Sequence, residues 1–442
     1  MRKISKNAVH LNLQRILREK GFSLYRPKNH KRPRIVCVEG NVVTPVEPEV
    51  LLPIVLEIYM KDAEKNSLEE ITAKIFENEP ETFRLYLEMT LDPFDGTFRN
   101  DSSTTTHFYF KNGVLAVTAD DITRIEYADL PGHVWNRQIV DFDLDLQSIE
   151  SVKKGKFYDF IDALGYFAIE AFAEERVCHL TALLGSLLNN YNNAGIPEDH
   201  IAKRVVFLSN STYICAIDKN ITQISLIASA LAKIVPTAFF EGNDLDDPDH
   251  VARIVSDSTR LVVFADVTKC NPDHIKAILE KRSDVKILIL SSVPFKDLGV
   301  NQFSIFPSQK AAAWTRLFVD LGMEMEKLEV DRFYTALVYM AQMYLARGIV
   351  ESLETNCEGM ISLVNEAGRE FIQYIKSEIE PGVNYSYVQI LEDYNYGGDT
   401  VETIDLETFK KLVRDYAKVT KISMVETQTI GDESFRYEYV KR

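Results

Sequence analysis

Residues 204–235 read RVVFLSNSTYICAIDKNITQISLIASALAKIV. The order is a short apolar run of buried-strand type, a long polar loop and an amphipathic helix. That is the layout of a phosphate-binding P-loop. A working loop is GxxxxGK[ST]: glycines let backbone amides curl around phosphates, the lysine reaches the β- and γ-phosphates, and the hydroxyl binds magnesium. Here the turn into the helix is Ile221-Thr222-Gln223-Ile224-Ser225, and no glycine occurs between Ser209 and Ser225. Ser225 fills the hydroxyl position and Ile224 the lysine position. Isoleucine cannot neutralise phosphate, and β-branched residues resist the positive φ that a phosphate nest needs.

Outward from this stretch the texture alternates. Buried-strand runs occur at 204–209, 235–240, 260–266 and 285–292, with helices at 222–234, 249–256 and 272–282. Such an order predicts a parallel sheet with right-handed crossovers and helices on both faces. Two helices open alike, at Asp247-Pro248-Asp249-His250 and Asn271-Pro272-Asp273-His274. Each reads as an N-cap followed by proline at the first helical position, in preference to a metal-binding repeat. The run ending in paired acids in a nucleotide site is RLVVFAD, where Asp266 remains and Ala265 stands in the other acid position. A later strand should end in a polar residue that reaches phosphate or water; Ser291, Ser292 and Val293 stand there. The cation, one carboxylate and the water-positioning group of phosphoryl transfer are therefore replaced.

Before this region we expect a helix over 6–20 and strands over 34–46 turning at Gly40-Asn41. Helices follow over 48–61, 67–76 and 80–90, then a hairpin over 107–125 turning at Asn112-Gly113. Residues 134–145 read as an edge strand with Asp141, Asp143 and Asp145 on one solvated face, and no metal is assigned to them. Residues 156–193 are helical and apolar nearly all round, and His179 within them reads as a core histidine. After the sheet come a long helix over 331–353 broken near Gly348 and a helix over 357–377. Helices over 385–392 and 405–418 and strands over 421–427 and 433–440, turning at Gly431-Asp432, suggest a winged-helix unit.

The five cysteines are scattered without CxxC spacing, which argues against a disulfide framework and a zinc site. No run of 18 apolar residues or signal-peptide pattern is present, so no membrane contact and a cytoplasmic location are expected. The formal charge of −16 is uneven: residues 1–34 hold eleven Lys or Arg against Glu19 alone. This arm carries +10 and the remainder −26, so Arg2, Lys3, Lys6, Arg15 and Arg18 are candidates for contacts to nucleic-acid phosphates. A solvated basic face is the equal alternative.

The order FYFKNGVLAVTADDI, PGHVWNRQIVDFD, LTALLGSLLNNYNN, the three motif strands and DRFYTALVYMAQMYLARGIVE resembles superfamily 3 helicases. Within them the chain is most similar to the primase-helicases of phages and mobile elements of Bacteroidetes-type bacteria. The resemblance spans roughly residues 100–442 and includes EFIQYIKSEI and FKKLVRDYA. It implies an α/β, P-loop NTPase-like (AAA+ type) core flanked by an α+β domain, a helical collar and a winged-helix-like domain. The corresponding segments are 1–146, 147–200, 201–330 and 331–442. In that family ATP binds between subunits of a ring that moves single-stranded DNA 3′ to 5′. Carried over by position, the nucleotide site comprises Thr222, Ile224, Ser225, Ala265, Asp266, Ser292 and Val293, with no intact arginine finger in FPSQKAAAWTR. The resemblance thus implies a non-hydrolysing component that needs no cofactor. It would bind DNA or replication proteins, as a possible homo-oligomer, in a bacterial host cytoplasm. Two alternatives stand beside it. One is an active ATP- and magnesium-dependent helicase using Lys219; the other is an unrelated α/β binding protein.

Overall fold

The computed structural model describes residues 14–27, 32–61, 76–165, 170–191, 204–210, 222–291, 301–305, 326–349, 377–396, 404–420, 422–429 and 432–438, with further positions between 363 and 375. In the first lobe, residues 14–19 are helical and end at Gly21, whose φ of +82° glycine adopts without strain. Strands β1 (Phe22–Tyr25), β2 (Arg34–Glu39) and β3 (Val42–Pro45) form an antiparallel set. Helices α1 (Pro48–Lys61) and α2 (Pro80–Thr90) pack on it through Leu51, Val55, Phe83 and Leu87. The expected helix over 67–76 lies almost wholly outside the described residues. The turn at Gly40-Asn41 is as expected, and Gly40 has a φ of +59°.

A second sheet follows, built from β4 (Thr106–Phe110), β5 (Gly113–Val117) and β6 (Ile122–Ile125). Its first turn is shifted from the sequence expectation. Gly113 pairs with Phe110, so Lys111 and Asn112 make the turn. The expected edge strand over 134–145 is instead two short pieces, β7 (Val134–Trp135) and β8 (Ile139–Val140), split by a 3-10 turn. The first piece joins the β1–β3 sheet and the second joins β4. Asp141, Asp143 and Asp145 follow β8 in irregular chain and share no strand face. Asp141 pairs with Lys111 and Asp145 with Lys327, so alternation here reflects ion pairing to different elements.

Helices α3 (Lys156–Gly165) and α4 (Glu170–Leu188) come next. His179 is buried in α4, as its apolar neighbours suggest. Strand β9 (Val205–Asn210) then enters the parallel sheet, and helix α5 (Thr222–Leu231) leads to β10 (Thr237–Glu241). Helix α6 (Pro248–Ile254), β11 (Leu261–Ala265), helix α7 (Pro272–Lys281) and β12 (Lys286–Ser291) continue the alternation. A fifth strand, β13 (Asn301–Ile305), was not foreseen. Both expected caps form: the Asp247 carboxylate accepts from His250 N at 3.0 Å, and the Asn271 side chain accepts from Asp273 N at 3.0 Å.

All pairings in this sheet are parallel, in the order β10-β11-β12-β9-β13. Alternate residues of each strand feed two cores. Val206, Leu208, Leu261, Val263, Leu288 and Leu290 face α5, α3 and α4. Val205, Phe207, Val262, Phe264, Ile287 and Ile289 face α6 and α7. That two-sided burial is why these strands read as unbroken apolar runs.

Helix α8 (Lys327–Arg347) closes the first core against α3 and α4 and ends at Gly348, φ +71°. The crossing with α4 is tight at Gly185, where an added Cβ would lie 2.0 Å from the Met340 carbonyl oxygen. The last unit is β14 (Tyr385–Ser386), α9 (Tyr387–Tyr396), α10 (Leu406–Thr420), β15 (Ser423–Thr429) and β16 (Asp432–Glu438). Strand β16 lies between β14 and β15, and the unit has its own core around Phe371, Tyr387, Phe409 and Phe435. Asp432 pairs with Thr429 and belongs to the strand, not to the turn expected at Gly431-Asp432. Among the described residues no helix is long and apolar enough to cross a membrane.

Candidate functional site

In an open parallel sheet, ligands bind beyond the carboxyl ends of the strands, where neighbouring connections leave in opposite directions. Here that point lies between β9 and β12. From β9 the chain crosses through α5 to β10 at the far edge; after β12 it re-enters at β13, on the other side of β9. The segregation of α5 from α6 and α7 onto opposite faces fits right-handed crossovers in both directions. The N-terminus of α5 at Thr222 opens at this carboxyl edge, as does the end of β11 at Ala265. Topology therefore brings Thr222, Ile224, Ser225, Ala265 and Asp266 to one edge. Ser292, Val293 and Lys219 lie outside the described residues.

The chemistry at this edge is sparse. Ala265 is half-buried and offers no donor or acceptor beyond its backbone. Asp266 is exposed and takes φ +55°, a left-handed conformation that aspartate tolerates better than most residues. This reversal lets Val267 turn back into the core, where its N–H donates to the Leu290 carbonyl at 3.0 Å. The Ser291 hydroxyl, fully buried, donates to the Val267 carbonyl at 2.6 Å. Its hydrogen is thus committed to holding two strand ends together. Beside them, Gly242 follows Glu241, which is registered on Ala265. A Cβ at Gly242 would lie 2.6 Å from the Asp266 carbonyl oxygen and 2.8 Å from the Val267 Cα. The strand ends are packed backbone to backbone. Lys269, exposed three residues beyond Asp266, is the cation carried by this loop.

The acidic and histidine residues around the edge serve the scaffold. His274 pairs with Asp246 at 3.3 Å, and Lys281 pairs with Asp249 at 2.5 Å, tying α7 to the segment before and within α6. Among the described residues no three His, Cys, Asp or Glu side chains gather as metal ligands. Of the basic-arm candidates, Arg2, Lys3 and Lys6 lie outside the described residues. Arg15 pairs with Glu19 at 3.0 Å and Arg18 with Asp92 at 2.5 Å, so both are engaged on the protein surface.

The opposite edge of the sheet holds a group of charges that the sequence reading missed. Three of its strands are entered through a cation: Arg204 precedes β9, Arg260 precedes β11 and Lys286 opens β12. The signal was present in the pattern RVVFL, RLVVF and KILIL. One basic residue at the same end of three neighbouring buried strands puts charge where solvent is scarce.

No family model matches the chain, and no curated protein matches it.

Proposed function

We propose that this chain is a helicase-like scaffold that neither hydrolyses ATP nor depends on it, and that acts by binding DNA or replication proteins. The reading joins the resemblance to superfamily 3 primase-helicases with the chemistry of the carboxyl edge. The observation that carries it is the end of β11. Where a nucleotide site pairs two acids, the chain has Ala265 and an exposed Asp266, and the neighbouring Ser291 hydroxyl is occupied by a backbone carbonyl. Magnesium-assisted phosphoryl transfer needs carboxylates and polar groups directed at the phosphates, and among the described residues the end of β11 offers Asp266 alone.

The C-terminal unit supports a binding role. A short strand, two helices and a hairpin, with the short strand paired to the last, are compatible with a winged-helix reading. Helix α10 exposes Lys411, Arg414 and Lys418 along one face, at i, i+3 and i+7. Two of them are held by acids, Lys411 by Glu366 and Arg414 by Glu426. Such pairing weakens a phosphate contact and favours a protein partner over bare duplex.

The test is thermal melting and turnover with Mg-ATP. A ligand that binds the native state raises Tm in a saturable way. We expect no saturable rise and no turnover above a buffer control. ATP hydrolysis that disappears in Asp266→Ala overturns the proposal.

A further inference from the structure

Strand β10 lies at one side of the parallel sheet and, among the described residues, pairs with β11 alone. The elements that flank it, from α5 to β12, belong to one continuously described stretch, residues 222–291. An edge strand offers a row of backbone N–H and C=O groups as a template for a further strand, and proteins guard such rows with proline, lysine or a bulge. Between Thr237 and Glu241 the strand carries neither proline nor lysine. It is also free of bulges: the register on β11 runs unbroken from Thr237 on Leu261 to Glu241 on Ala265.

One contact fixes which way its backbone points. The Leu261 N–H donates to the Pro236 carbonyl at 3.2 Å, so position 236 faces β11. By the alternation of a strand, Ala238 and Phe240 face β11 too, and Thr237, Phe239 and Glu241 turn their backbone groups outward. The ends of this outward row are tied locally. The Thr237 hydroxyl donates to the Val235 carbonyl at 2.9 Å, and the Glu241 N–H donates to Asp244 Oδ2 at 3.0 Å. Between those ties, the N–H and C=O groups of Thr237 and Phe239 meet no protein partner among the described residues.

The side chains make the row complementary to itself. Phe239 is registered on Val263, whose side chain belongs to the core under α5, yet Phe239 is 54% exposed. Lys233, exposed just past the end of α5, precedes the strand, and Glu241, also exposed, ends it. Consider a two-fold axis at Phe239 with two β10 strands running antiparallel. Phe239 then stands opposite Phe239 and the two residues exchange both outward hydrogen bonds. Their rings meet on one face, a favourable cross-strand pair. Thr237 stands opposite Glu241, so the acid of each copy arrives at the end of the strand that Lys233 precedes. A parallel pairing would instead set Glu241 against Glu241, which like charges disfavour.

We propose that β10 is the interface of a two-fold dimer of this chain, in which the parallel sheets of two copies join through antiparallel β10–β10 pairing. A contact of this kind uses the same patch on both copies and closes on itself. It rests on the sheet edge and is independent of the helicase-like reading.

The experiment combines sedimentation velocity of the full chain, from about 1 to about 100 μM, with hydrogen exchange resolved at single amides. A monomer–dimer equilibrium is expected. The Thr237 and Phe239 amides should gain protection as the dimer fraction rises, while those of Ala238 and Phe240, bonded to β11, stay protected at every concentration. Phe239→Asp places two carboxylates on the axis and should weaken association about tenfold or more, with the Tm of dilute protein little changed. Lys233→Glu should weaken it as well, and Lys233→Glu combined with Glu241→Lys should restore it. A monomer throughout the range overturns the proposal and leaves the edge to a strand of another protein or to none. A dimer of unchanged affinity in Phe239→Asp, or one without the alternating protection, overturns it too, because the contact then lies elsewhere. A double charge variant no tighter than Lys233→Glu rejects the antiparallel register.

Discussion

At its carboxyl edge the parallel sheet ends in Glu241, Ala265 and Ser291; at its amino edge it begins from Arg204, Arg260 and Lys286. The central strands β9, β11 and β12 are apolar along most of their length and are buried on both faces. Their stability rests on that burial, worth about 1.5–3 kcal/mol for each large side chain. Either edge can therefore change its chemistry while the sheet persists. The carboxyl edge has given its polar groups to the backbone, as Ser291 does with Val267. The amino edge keeps charge in a place where charge is costly.

The comparison breaks first at Asp101. Asp101→Asn preserves shape and removes the buried carboxylate that pairs with Arg260 and accepts from His107. We expect a loss of about 3–5 kcal/mol, measured by urea unfolding, because Arg260 then loses its carboxylate in a buried site. The same carboxylate gives the wild type an acid limb. The hydrogen bond from His107 and the charge of Arg260 outweigh burial and hold its pKa below the ordinary 3.8. Its contribution is thus complete above pH 3.8 and is lost as pH falls through the lower, folded value. A carboxyl-edge variant should show no comparable loss.

Lys286 gives the next largest effect, in a higher pH window. Its folded value of about 8 lies below the ordinary 10.5. Between these values the unfolded chain holds a proton that the folded chain has released, so stability rises with pH across that window. The upper bound is roughly 3 kcal/mol. Tyrosines such as Tyr25, pushed up to about 12 by burial, act in the other direction above pH 10. The difference in Tm between wild type and Lys286→Met, taken from pH 7.5 to 10, isolates the lysine. A flat difference would show that burial does not hold the Lys286 ammonium below its ordinary value.

How far the sequence foretold these edges depends on what each residue packs against. The first four strands of the parallel sheet were legible because burial on both faces leaves an unbroken apolar run. Strand β13, NQFSI, was not, since two of its five residues are apolar and it pairs on one side alone. The caps at Asp247 and Asn271 were legible because a cap is a local interaction. The aspartates at 141, 143 and 145 misled because alternation alone does not distinguish a strand from a loop whose acids meet lysines of other elements. The carboxyl-edge positions could be placed because strand, loop and helix follow each other in sequence. The amino-edge cluster could not, because Asp101, Asn190, Arg204, Arg260 and Lys286 meet only through the fold.

A middle-sized effect belongs to the carboxyl edge and is steric. Gly242→Ala would put a Cβ 2.6 Å from the Asp266 carbonyl oxygen. One of the two strand ends must shift, at a cost of about 1–3 kcal/mol. Thermal melting reads it. An unchanged Tm would mean that the edge is loose enough to admit a ligand, which weakens the contrast with the charged amino edge.

Asp266 carries the smallest expected effect and the sharpest consequence. Its side chain is exposed and its φ is +55°. Asp266→Gly removes left-handed strain of at most about 1–2 kcal/mol. It also frees the unfolded chain, at a cost of about 0.4–1 kcal/mol. The two nearly cancel, so Tm should stay close to wild type, while the β-branched Asp266→Val, which resists positive φ, should lower it. If Asp266→Gly instead costs several kcal/mol, the carboxylate is holding a partner. The carboxyl edge would then have kept a charged function after all, and the contrast between the two ends of the sheet would be one of degree.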